Sequence, residues 1–514
     1  MKLHRSLIIS ILSAVLVCAF SPKAAAQVYQ YGRNLTIGVG RVENLDPQQA
    51  VDLNSRLLMA NIYDRLYEIN EKGKLVPVLA ETFPQPEAPL KYAIKLKEGI
   101  HFHDGSPFDA EDVVYSFARL TKSNSPYRHH VEAIKEVEYL NRYRILVRLN
   151  RPVLNLAALF AQLEMAPMSK SFVERYGDDY GLVSACGTGP FKFYTWRRGK
   201  KVVLEKNYQY WRPKLPFINR LVFKEYKDAG KAVDSLKKRM ISVAVNLNPQ
   251  QAVELDNQKK IIVKQTGENR LIQLYLNAET AVLENSGIRR AISLAIDRSE
   301  IVEEIFGGYA EAAPSIFPPG SLFPKLDKPL YAYDPKTAES GLAQAGYRKR
   351  TPLKLELFCS LDATLIKISD LIKRQLAKVG VLVTVRKMNK QSLFDHIYER
   401  RGKRRSRFKI ALEDWRGDYD PESFIYFPYS SHSPFNKLLK SDSHIDSLLE
   451  KMSATRNDNL KKELIVRFAE QLAESMQTVP LCFPKLIFAY NNYVSNLHMD
   501  RSGIICFRNA WTRK

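Results

Sequence analysis

The chain has 514 residues, 45% of them apolar and 26% charged, with a formal net charge of +23. That length exceeds what one hydrophobic core serves, so at least two lobes are expected, and the composition excludes a disordered, collagenous or multispanning chain. At the N-terminus, Lys2 and Arg5 precede an apolar run from Leu7 to Phe20, and Ala24-Ala25-Ala26 follows as a small-residue site. This is the pattern of a secretory signal peptide, with cleavage expected after Ala26 and no later stretch long enough to span a bilayer. Cys18 offers a lipid-modified alternative, but Val17 before it is bulky where a small residue is preferred. Removing Lys2, Arg5 and Lys23 from +23 leaves +20 on the exported chain. The densest basic run, Arg400–Arg407 (RRGKRRSR), reads behind a signal peptide as a solvated loop. Cys186, Cys359, Cys482 and Cys506 lack C-x-x-C spacing and allow two disulfides or four buried thiols.

In chain order, Leu35–Val39 reads as a strand, and Asn54–Tyr67 carries Leu57, Leu58, Ile62 and Leu66 at helical spacing. Tyr92–Leu96 alternates as a strand. A further strand is expected to end at Phe102, followed by an Asp104-Gly105 turn and a helix capped by Asp109 and running to about Leu120. His101 and His103 share a strand face, but no third metal ligand has suitable spacing. Ile145–Leu149 is a strand, and Gly187–Trp211 is a turn, two alternating strands and an aromatic cluster. Its Gly187-Thr188-Gly189 lacks the third glycine of a nucleotide fingerprint. Strands follow at Leu221–Tyr226, Ile241–Val245 and Leu271–Leu276, with an amphipathic helix at Asp228–Met240 and a longer one at Ile288–Phe306. Helices at Thr337–Ala345 and Leu365–Val379 each precede a strand. Two more, His444–Met452 and Leu460–Met476, lead to the strand Val479–Ala489. Mixed strands and helices without a fixed repeat give an α/β chain of two or three lobes.

The stretch Ile410–Phe424, IALEDWRGDYDPESF, runs apolar through Trp415 and breaks into a turn crowded with Gly417, Asp418, Asp420 and Pro421. A strand ending in such a turn sets its last side chains at a sheet rim, where open α/β folds meet ligands. Trp415 supplies a flat apolar wall and Asp418 a carboxylate, a pairing suited to the ammonium of a small zwitterion. Taken alone, a D-x-D-P turn is more often a solvated loop.

Five blocks in one order resemble the extracytoplasmic solute-binding proteins of peptide ABC transporters, the oligopeptide/dipeptide-binding group (family 5). They are LKEGIHFHDGSPFDAEDVVYSFARL, GTGPFKFYTWRRGKKVVLEKNYQYW, GIRRAISLAIDRSEIVEEIFGGYAEAAPSIFPPG, YDPKTAESGLAQAGY and the W-x-G-D-Y-D-P turn. The resemblance implies a two-lobed periplasmic-binding-protein fold (type II, cluster C) with an extra inserted domain. Lobe I would comprise 27–73, 185–270 and 486–514, the insert 74–184, and lobe II 271–485. It implies a monomer in the periplasm that encloses short peptides between its lobes and delivers them to an inner-membrane ABC permease, without cofactor, metal, nucleic acid or catalysis. By position, Asp418 matches the aspartate that pairs with a peptide's α-ammonium. Trp415 lines that site with Tyr419 beside it, Tyr127 falls at a cleft tyrosine of the insert, and Leu53 borders bound peptide backbone on a strand–turn segment. Arg400, Arg401 or Lys367 falls near a cation for the ligand carboxylate. The arginine found three residues before the tryptophan in long-peptide binders is Leu412 here.

Three rivals remain at this level. The same fold could hold glutathione, a nickel chelate or haem. An exported hydrolase is disfavoured because neither G-x-S-x-G nor H-E-x-x-H occurs. A positively charged surface protein could bind nucleic acid or lipid.

Overall fold

The structure is a computed structural model describing residues 33–122, 124–319, 323–326, 328–398, 408–417, 423–433, 436, 442–455 and 457–513. Its largest sheet is mixed and twelve-stranded. One half holds Asn34–Val39 between Arg220–Glu225 and Val243–Ala244, both parallel to it, with the hairpin Phe191–Arg197 and Lys201–Lys206 at the edge. The other half orders Val381–Met388, Leu353–Ser360, Ile410–Arg416 and Arg270–Leu276.

A single strand, Thr478–Asn491, joins the halves. Its first part pairs with Arg270–Leu276 and Ala310–Ala312, and its last part with Ile261–Gly267 and Val243–Ala244. The chain thus crosses between halves twice, at Glu268-Asn269 and at Pro484-Lys485. Each half has its own core. Leu35, Ile37, Leu57, Phe191, Leu204 and Phe223 belong to one, and Ile272, Leu274, Ile292, Leu355, Ile372 and Val383 to the other. A separate four-stranded antiparallel sheet (Gln85–Ala88, Lys91–Lys95, Arg144–Leu149, Ile134–Asn141) packs with the helix Ala110–Lys122 over a third core containing Ile94, Phe102, Val113 and Val147. The architecture is therefore mixed α/β, as expected.

Local chemistry sets the element ends. Asp52 caps the helix Leu53–Ile62 by accepting from Ser55 N–H at 2.8 Å. This helix stops before the expected Tyr67, because Tyr63 turns extended and Asp64 is drawn inward, where it accepts from Trp211 Nε1 at 2.8 Å. Ile288–Phe306 is not one helix but two, Ser286–Leu294 and Arg298–Phe306. Asp297 caps the second, accepting from Ser299 and Glu300 N–H groups at 2.9 and 3.1 Å. The strand expected to end at Phe102 is a tight turn instead, with Gly105 N–H donating to Phe102 O. All four cysteines outside the N-terminal segment are free thiols.

Gly187 and Gly189 serve close packing. A Cβ on either would lie within 2.5 Å of Ile62 O, the carbonyl that accepts from Gly189 N–H. His103 locks this contact. Its Nδ1 accepts from Gly187 N–H at 3.3 Å, and its Nε2 lies 2.9 Å from Gly189 O, an arrangement only the neutral ring satisfies. Burial lowers its pKa to about 4, and both ring nitrogens are committed to backbone rather than to metal.

Because the unfolded ring takes up a proton near pH 6.5 and the folded ring only near pH 4, His103 removes stability as pH falls through that window. Denaturant titrations should show a slope of up to about 1.4 kcal/mol per pH unit from this residue between those values, absent in the non-titrating His103→Gln protein. Identical pH slopes for the two proteins would refute the assignment.

Candidate functional site

The Trp415 turn is built against the first crossover. Trp415 stands opposite Leu271 across the antiparallel pair, and its indole Nε1 donates to Ser423 O at 2.7 Å. Gly417 N–H donates to Asn269 O at 3.0 Å. Glycine is required there, because the Phe424 ring occupies the space within 2.1–2.7 Å of any Cβ. Around this point Arg270 Nε pairs with Asp414 at 2.9 Å, Arg416 with Glu268 at 2.8 Å, and Arg501 Nε donates to Asn269 Oδ1 at 3.0 Å. Burial raises the Glu268 carboxyl despite Arg416 and Arg270 beside it. Asp414, Arg416 and Gly417 are therefore tied to the crossover through backbone and ion pairs.

Tyr127 is buried on the inserted sheet's side of the molecule. Its hydroxyl donates to Ala50 O at 2.7 Å and accepts from Arg56 at 2.8 Å, while Arg56 also lies 5.2 Å over its ring. Arg56 pairs with the fully buried Glu164 at 3.4 Å, and Glu164 accepts from His130 Nδ1 at 2.6 Å. Burial would raise the Glu164 carboxyl, but Arg56 and His130 outweigh it and hold it well below its usual range.

This cluster touches the second lobe directly. The Phe427 ring lies 5.8 Å from His129 and 6.3 Å from His130. Arg151 stacks 3.6 Å over Tyr426, and Lys461 Nζ donates to Leu154 O at 2.9 Å. Leu154 itself is buried in a cluster with Leu449, Met452 and Phe468 of the other lobe. Two cavities of about 470 and 570 Å³ flank this seam, the first lined by Arg151, Tyr426, His432 and Asp446, the second by Phe83, Leu90, Val153 and Lys461.

Of the expected ligand residues, Tyr127 reaches the second lobe through His130 and Phe427, whereas Trp415 lies opposite Leu271 beside the first crossover. Leu53 opens the helix Leu53–Ile62 rather than lying on a strand–turn segment, because Asp52 nucleates the helix there. Its side chain packs against Gly503. Lys367 is exposed on the helix Ala363–Lys378, and no contact joins it to Trp415 or Tyr127. Asp418, Tyr419, Arg400 and Arg401 lie outside the described residues. Arg56, Glu164, Phe427 and Lys461 were not singled out by sequence reasoning. Among the described residues no group of three His, Cys, Asp or Glu could hold a metal ion.

Two lobes joined by two crossovers, with aromatic and ionic contacts along the seam, define a solute-binding architecture. The chain belongs to the bacterial extracellular solute-binding proteins, family 5, whose description ("family 5 Middle") it matches over residues 74–437. It is 27% identical over 486 residues to the glutathione-binding protein GsiB of Escherichia coli K12, covering 92% of this chain and 91% of that one. Among solved structures, it is similar to the periplasmic binding protein DppA of Helicobacter pylori in complex with the peptide STSA. That match has TM-score 0.75 and 24% identity, and covers 94% of this chain and 99% of that one. It is also similar to HbpA2 of Haemophilus parasuis, with TM-score 0.84, 22% identity, and coverage of 94% and 100%. The two-lobed fold of these proteins is the fold of this chain.

Removing Arg56 would take away the cation that faces the buried Glu164 carboxylate. Arg56→Met should therefore cost about 3–5 kcal/mol in chemical denaturation, and a second change, Glu164→Gln, should restore much of the loss. A single variant as stable as the parent would show that the pair carries no such weight.

Proposed function

We propose that the chain is an exported receptor that captures short peptides between its lobes and presents them to an ABC permease, and that glutathione is the first peptide to test. The end-to-end match to a glutathione-binding protein carries this reading. Glutathione is a tripeptide with one ammonium and two carboxylates, so a closed cleft must supply a partner for each charge it takes from water. In this reading Asp418 receives the ammonium beside Trp415 and Tyr419. Arg400, Arg401 or Lys367 answers the carboxylates, and Tyr127 and Leu53 border the backbone. The reading includes the inserted domain at 74–184 and lobes divided near 270 and 485.

The crossover bonding supports a closing motion. A ligand held at the turn after Gly417 acts on Asn269 through one hydrogen bond, and so on the strand pair that links the lobes. Ligand favours the closed population because only that state surrounds its charges. The signal segment and periplasmic residence belong to the same proposal, with release after Ala26.

Isothermal calorimetry with glutathione, ordinary tripeptides and dipeptides should give a heat of binding for at least one of them. Asp418→Ala should weaken that ligand at least about tenfold, with the ligand-free melting temperature nearly unchanged. N-acetylated ligand binding as tightly as the free amine would exclude Asp418 from this role, and silence across the whole panel would exclude the peptide class.

A further inference from the structure

The edge of the sheet farthest from Trp415 carries a feature that ligand capture does not use. The hairpin Phe191–Lys206 and the strand Arg220–Glu225 hold eight Lys or Arg and only two carboxylates, Glu205 and Glu225. Leu204, Leu221 and Phe223 face the lobe core, so the alternate positions 201, 203 and 205, with 220, 222 and 224, form the opposite face. Over Asn34–Val39 that side is covered by the helix Ala229–Lys237, for a Cβ on Gly38 would meet Ala232 and Ile241.

The register places Arg197 opposite Lys201, and Lys201 opposite Lys224. Three cations thus stand in one row across three strands, at a spacing of about 5 Å between neighbours. Like charges directly opposite one another destabilise a sheet. Among the described residues none of the three makes an ion pair, and the only contact found for their cationic groups is Lys224 Nζ, 5.2 Å over the Tyr226 ring. The tip adds Lys200 beside Gly199, where a Cβ would meet nothing, while Arg198 is turned away, donating to Glu43 O and Leu182 O at 2.9 and 2.6 Å and stacking on Trp196. Farther along, Arg220 pairs loosely with Glu205 at 3.9 Å and lies 4.8 Å over Tyr194, an aromatic ring 53% exposed. Unanswered cations beside an exposed tyrosine form the combination that settles on a headgroup layer.

We propose that this outer hairpin face is a docking surface for an anionic phospholipid membrane. It keeps the receptor near the bilayer that houses its permease. The Trp415 turn stays free of the lipid, because the strand Ile410–Arg416 and the strand Arg220–Glu225 are separated by four intervening strands. The three-cation row supplies the attraction, Lys200 at the tip extends it, and Tyr194 sits at the interface. The attraction is electrostatic and is screened within about 8 Å at physiological salt, so attachment is reversible.

The test is co-sedimentation of the full protein with vesicles of neutral phosphatidylcholine, with and without about 30% phosphatidylglycerol. The parent should bind the anionic vesicles at least about tenfold more tightly than the neutral ones, and lose that preference at roughly 0.5 M salt. The triple variant Arg197→Gln/Lys201→Gln/Lys224→Gln should lose at least about tenfold in anionic-vesicle affinity while melting no lower than the parent, since it removes like-charge opposition. A charge-matched control, Lys238→Gln/Lys259→Gln/Lys260→Gln, should bind as the parent does. Equal loss in both triple variants would reduce the effect to net charge, and no preference for anionic vesicles in the parent would end the proposal. Unchanged vesicle binding in the hairpin variant with weakened coupling to permease in neutral lipid would overturn it in favour of an acidic protein surface. None of these readouts uses peptide, so failure of the ligand reading leaves them intact.

Discussion

The fold depends on one strand that has two sets of neighbours. Thr478–Asn491 lies in both halves of the sheet, and everything that lets the halves act together passes through it or beside it. A backbone strand bends easily at one or two residues but cannot be stretched or slipped without breaking a ladder on one side. The first crossover, Glu268-Asn269, runs alongside, and its polar groups are held by Arg416, Arg501 and Gly417. Buried Arg298 fixes the lobe II end of the shared strand by donating Nε to Pro480 O at 2.7 Å, next to the register shift at Ile272/Gln273. These two segments are the points where the chain passes between the halves.

Elements whose side chains obey one period were legible. The strands at 34–39, 144–149, 270–276 and 353–360 follow apolar runs or strict alternation, and the helices from Ala363 and Asp458 carry wide apolar stripes. What escaped depends on a competing polar partner. The break at Asp297 interrupts a continuous helical stripe, because an N-cap carboxylate outbids one more turn of helix. Ile261–Gly267 was missed since IIVKQTG has no clean period, and its pairing comes from the late strand some 220 positions away in sequence.

The site divides in the same way. Trp415 and Tyr127 stand out as residues, and Gly417 follows from the turn they accompany. Their surroundings do not, because they are assembled from partners far off in the chain. Arg56 meets Glu164 across 108 positions, and Lys461 reaches Leu154 across 307. No spacing rule connects such residues. The seam between Phe427 and His129-His130 similarly arises only when the insert-side sheet and the second lobe are packed together.

The four thiols have a consequence for how the protein matures. Burial pushes Cys186 and Cys482 up to about 12 and raises Cys359 and Cys506 as well, so none presents a thiolate at neutral pH. Among the described residues no disulfide holds the cores together, and a buried, protonated thiol is a poor nucleophile for mixed-disulfide formation. Nothing among the described residues therefore calls for a sulfhydryl oxidase or disulfide isomerase in reaching the folded state.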